Sequence, residues 1–191
     1  MSKIIRGTNR QVSGFKISLF GFFVNILFFA FKIVAGLMSG SIAITVDSFN
    51  NALDSLSSIM AVFGFHFSSK KHDKEHPHGH GRAEYVVAFA ISIVIIFTAL
   101  ILGRASFDKV LNPSPVESSI PLIVAIVIAV IGKLSLALFY HVKNRKIKSP
   151  IFDASIVDSL SDAMSTSIIL FALILDPFTD LPVDGFAGLG I

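Results

Sequence analysis

The chain has 191 residues, of which 53% are hydrophobic and only 15% charged, and its mean hydropathy is +0.75. Soluble domains carry nearer ~25% charged residues, so composition alone excludes an ordinary soluble fold and points to a membrane. The net charge of +3 matters less than where the charges lie, and the lack of cysteine leaves only oxygen and nitrogen to hold a metal.

Residues 1–14 are polar and basic, with Lys3, Arg6 and Arg10, and run into an apolar segment with no small-residue cleavage pattern, so no cleavable signal peptide is expected. A first span is predicted over 15–38, long enough at ~1.5 Å per residue to cross ~30 Å of hydrocarbon. Ser18, Asn25 and Lys32 recur every seven residues in it and share one helical stripe. That stripe is expected to pack on other helices, with Lys32 snorkelling to the nearer surface. Ser39-Gly40-Ser41 turns the chain into a second span over 41–67. This span carries Asp47, Asn50, Asn51 and Asp54, so it must line a bundle interior.

A charged loop over 68–84 follows, then an uninterrupted apolar span over 85–103. Asp108 to Ser119 reads as a proline-containing loop, and 120–140 as a fourth span interrupted by Lys133 and Ser135. His141 to Pro150 is strongly basic. The fifth span, 152–175, is polar in its first half, and a sixth begins at about 183 and stops short. Twelve of the sixteen Lys and Arg residues fall in residues 1–16, 68–84 and 141–150, Lys16 at the start of the first span being one of them. By the positive-inside rule the N-terminus is cytoplasmic. The expected fold class is thus an all-α membrane protein: a transmembrane helix bundle of five complete spans and the start of a sixth.

A charged carboxylate at the bilayer centre costs roughly 2.5–3.5 kcal/mol, so those of spans two and five need a compensating partner. Asn50 and Asp54 are four apart and lie about 40° from each other on one helical face. Asp47 falls on the same face, and Asp158 and Asp162 repeat the four-residue spacing. The two spans run in opposite directions. As neighbours they bring Asp54 level with Asp158 and Asn50 level with Asp162, around a space that suits a divalent cation. An intramembrane aspartyl protease also needs two carboxylates, but its Tyr-Asp and Gly-x-Gly-Asp sequences are absent. A proton- or sodium-only relay stays open at this point. The recurrence of Asp54-Ser-Leu-Ser as Asp158-Ser-Leu-Ser fits an inverted repeat and equally fits coincidence.

Three motifs in order, SGSIAI…DSFNNALDSLSSI, DKEHPHGHGRAEY and DSLSD, resemble the cation diffusion facilitators, a family of divalent-metal/proton antiporters. The resemblance implies six spans, homodimers, and a transport site on Asn50, Asp54, Asp158 and Asp162. A second site is implied in the loop on Asp73, His76 and His80, where the bland alternative is a solvated polar loop. Asp47 and Asn51 stand beside the transport site, as second shell or access route. Zinc-selective members usually carry a His where this chain has Asp158. An all-oxygen set with Asn50 bound through its amide oxygen favours a harder ion such as Mn²⁺ over Zn²⁺, and resembles the manganese-exporting branch. The expected function is therefore Mn²⁺ efflux in exchange for protons by alternating access, with Zn²⁺, Fe²⁺ or Co²⁺ export, or a truncated non-transporting membrane subunit, as alternatives. No enzymatic activity, prosthetic group or nucleic-acid partner is implied; the partners are the bilayer, metal ions and protons, and the location is the plasma membrane. The family's cytosolic C-terminal domain is not expected in this chain.

Overall fold

The computed structural model describes the backbone of residues 2–67, 81–179 and 181–191, with side chains over 12–59 and 89–191 apart from positions 57, 90, 91 and 180. Those residues are almost wholly helical: α1 (Ser2–Ser39), α2 (Ile42–Phe67), α3 (Gly81–Leu111), α4 (Ile120–Ile147), α5 (Pro150–Leu175) and a short α6 (Val183–Gly190). A single 3-10 turn, Asp176–Phe178, leads out of α5. Among the described residues three helices are long and apolar enough to cross a membrane, over Val12–Ser39, Ile120–Ile147 and Pro150–Phe178.

Two antiparallel hairpins, α1–α2 and α4–α5, dominate the packing. Gly40 turns the first with a φ of 68°, a left-handed conformation that glycine adopts without steric cost. The hairpin then closes tightly, because a Cβ on Gly36 would meet the backbone nitrogen of Thr45 at 2.9 Å. The second hairpin turns on Lys148, also left-handed, whose N–H donates to Asn144 O. Pro150 opens α5 at a position where a helix needs no backbone donor. Asn144 braces the corner by accepting from Ser149 N at 2.8 Å and donating to Asp153 at 2.6 Å. Between hairpins, Gly21 lies against the Tyr140 hydroxyl and Gly132 against the Phe28 ring, so α1 and α4 approach closely where side chains are smallest.

The interior is layered along the helix axes. One apolar cluster joins Ala43 and Ile44 of α2, Ile126 of α4, Ile169 and Leu173 of α5 and Ala187 of α6. A second, at the opposite end, joins Ile17, Leu136, Tyr140, Ile147 and Phe152, with Tyr140 stacked on Phe152. Polar residues occupy the layers between them. The outward faces of α1, α3, α4 and α5 carry large apolar side chains, among them Phe23, Leu27, Phe97, Leu100, Ile128 and Phe171, as lipid contact requires. Among the described residues α3 packs mainly on α6 and α2.

Helix ends differ from the expected span limits. The α3 helix runs on to Leu111, through what reads as loop from Asp108, and α4 continues to Ile147 through the basic segment. A helix satisfies its own backbone in water as well as in lipid, so hydropathy marks where hydrocarbon stops and not where the helix does. The short α6 docks on α2, α3 and α5. Its Asp184 accepts hydrogen bonds from the Ser41 hydroxyl at 2.5 Å and the Ile42 and Ala43 amides at 2.8 and 3.3 Å. A carboxylate thus caps the α2 N-terminus, where unpaired amides and the helix dipole favour negative charge.

Candidate metal site

The α2 and α5 helices face each other across the polar layers and bring the carboxylates together. One ligand atom from each of Asp54, Asp158 and Asp162 lies within 4.8 Å of the others. Oxygen–metal distances of about 2.0–2.6 Å place the ligands of one ion within roughly 5 Å of each other, so the three carboxylates fit a single cation. Asn50 joins them by donating from Nδ2 to Asp162 Oδ1 at 2.6 Å; a half-turn of the amide presents its oxygen instead. Asp54 and Asp162 are buried, Asn50 is half-buried and Asp158 is exposed. Access from outside the bundle therefore reaches Asp158 first.

Lys133 enters this site from α4, and sequence reasoning gave it no role. Its side chain is only 1% exposed. The ammonium donates to Asp54 Oδ2 at 3.1 Å, to Asn25 Oδ1 at 3.0 Å and to Asp162 Oδ2 at close range. It also lies 5.6 Å from the centre of the Phe28 ring, within cation–π range. The available signal was its position: a lysine in the middle of an apolar span has to find a carboxylate or a water-filled cavity.

A second charged layer lies one to two turns towards the Gly40 turn. Lys32 of α1 pairs with Asp47 of α2 at 2.5 Å, and both are fully buried. Thr166 of α5 ties the pair together, accepting from Lys32 at 2.9 Å and donating to Asp47 Oδ2 at 2.9 Å. Lys32 thus does not snorkel. A carboxylate facing it from α2 and the Thr166 hydroxyl give the buried ammonium a charge partner and a hydrogen bond within reach, which reduces the cost of keeping it inside. Asn51 is buried and donates to the Asp47 carbonyl at 2.7 Å, so it braces α2 and does not reach the carboxylate cluster. Asp47, expected as a neighbour of the site, is committed to Lys32. The loop residues Asp73, His76 and His80 lie outside the described residues.

Comparison with known proteins agrees with the motifs. The sequence pattern of the cation efflux transmembrane domain matches residues 18–191. An uncharacterised transporter of Methanocaldococcus jannaschii is 27% identical over 86% of this chain and 58% of its own length. The cation-efflux pump FieF of Shewanella oneidensis is 30% identical over 77% of this chain and 50% of its own. The magnetosome protein MamB of a Magnetospira species is 24% identical over 89% and 58% respectively. The chain therefore spans about half the length of these relatives.

Proposed function

Because the chain belongs to the cation efflux family, the cation diffusion facilitators, we propose that it carries a divalent metal ion across the membrane through the site between α2 and α5. The observation that carries this reading is the convergence of Asp54, Asp158 and Asp162, three carboxylates from two facing helices, with Asn50 bonded to one of them. The donor set is all oxygen once the amide turns. Carboxylate and carbonyl ligands suit Mn²⁺, whereas imidazole ligands suit Zn²⁺, so Mn²⁺ is the proposed cargo.

The transport cycle follows from the layering. The polar layers sit between two apolar clusters, one towards each end of the bundle. Loosening the cluster around Tyr140 and Phe152 opens the site to the cytoplasm in the proposed orientation. Loosening the one around Ile44, Ile126 and Ile169 opens it to the far side. Protons compete with metal for the same carboxylates and supply the exchanged ion. Five spans, a cytoplasmic N-terminus and a homodimeric assembly complete the proposal.

Metal flux into reconstituted vesicles tests it. The parent chain should accumulate Mn²⁺, Asp54→Asn and Asp162→Asn should lose that flux, and Asp158→His should shift preference towards Zn²⁺. Equal flux in the parent and Asp54→Asn would sink the site assignment. An unchanged metal preference in Asp158→His would sink the choice of manganese.

A further inference from the structure

Lys133 places a fixed positive charge among the carboxylates proposed to hold the transported metal. Its ammonium contacts Asp54 Oδ2 and Asp162 Oδ2, oxygens from the two helices that any ion bound between α2 and α5 has to bridge. A dication and the ammonium cannot share those oxygens, because like charges a few ångströms apart in a low-dielectric interior repel strongly. The site therefore contains its own competitor.

We propose that Lys133 is a tethered counter-cation of the transport site: its single positive charge is shared between Asp54 and Asp162 between transport events and is displaced when the metal binds. This rests on the reading of Asp54 and Asp162 as metal ligands. Two observations show where the displaced charge can stay. Asn25 Oδ1 accepts from the ammonium at 3.0 Å, and the Phe28 ring lies 5.6 Å from it. Both belong to α1, a helix that carries neither carboxylate. Withdrawal towards them keeps one hydrogen bond and a cation–π contact while releasing both carboxylates. Gly132 adjoins the same Phe28 ring, so the lysine and its resting place form one packed unit.

The consequence is thermodynamic. Metal binds only the fraction of molecules in which the ammonium has withdrawn, so its apparent affinity is lower than the carboxylates alone would give. Lys133 is in this sense a positioning residue that sets affinity, and it is not itself a ligand. It also offsets one of the two buried carboxylate charges during the return of the carrier without cargo.

Mn²⁺ titration calorimetry on the detergent-solubilised full chain tests the idea. Lys133→Gln should bind Mn²⁺ more tightly than the parent, by about tenfold or more. Lys133→Arg keeps the charge and adds bidentate pairing with carboxylates, so it should bind Mn²⁺ more weakly. Opposite changes from two substitutions at one position are not what a merely structural lysine produces. If Lys133→Gln is too unstable to purify, the arginine variant decides alone, since its affinity has to fall. Parent and variants with equal affinity overturn the counter-cation, as does weaker binding in the glutamine variant. Binding that survives Asp54→Asn and Asp162→Asn in the parent background instead overturns the ligand assignment itself, and no binding by any of these proteins overturns both.

Discussion

At the residue scale, each interior carboxylate of α2 is answered by a lysine from a different helix. Asp47 meets Lys32 of α1, and Asp54 meets Lys133 of α4. Truncating one member of a buried pair leaves an uncompensated charge, which costs about 3–5 kcal/mol, whereas replacing both by apolar residues is often neutral. Lys32→Met should therefore lower the thermal unfolding midpoint of the detergent-solubilised protein sharply. Adding Asp47→Leu should recover most of the loss; no recovery would mean that Lys32 stabilises through packing alone. The acidic half of the site was legible in the sequence, since a four-residue spacing on two helices puts Asn50, Asp54, Asp158 and Asp162 on facing surfaces. The basic half was not. Helical periodicity locates a Cα and says little about the tip of a side chain with four methylenes. Counting gave a hint all the same: once the loops and their boundaries take their share of the sixteen Lys and Arg residues, Lys32 and Lys133 are left over inside the spans.

At the scale of elements, the site depends on helices held at close range by glycine. Gly36 is among the most constrained of these contacts, because an added Cβ would strike backbone, and backbone yields less readily than a flexible side chain. Gly36→Ala should cost about 1–3 kcal/mol through overpacking, seen as reduced thermal stability. Gly103→Ala, in open space, should be near neutral or slightly stabilising, as expected where a helical glycine has no packing role. Equal effects would show that α1 and α2 can move apart freely. Helix existence was readable from runs of apolar residues, and the Gly40 turn from its sequence. Helix ends were not, because neither the 104–111 nor the 141–147 segment contains a proline, and polar residues extend a helix into water as readily as apolar ones extend it in lipid.

At the scale of the molecule, one belt of apolar side chains surrounds two buried charged layers, an arrangement suited to lipid outside and a polar path inside. The orientation can be tested directly because the chain has no cysteine of its own. A cysteine introduced at Ser114 should react with a membrane-impermeant maleimide in intact cells, and one at Lys148 should react only after permeabilisation. The reverse pattern would invert the topology. The Asp184 clasp on the start of α2 bears also on how the molecule is made. Its partners Ser41 and Asp184 lie 143 positions apart, so during synthesis at roughly 5–20 residues per second the α2 N-terminus waits on the order of ten seconds for its cap. Ser41 covers the interval by itself, since its hydroxyl accepts from Ile44 N at 3.1 Å. The first hairpin is thus provisionally held as it leaves the ribosome and is locked only when α6 arrives, which makes the α2–α6 junction a late step of assembly relative to the hairpin it clasps.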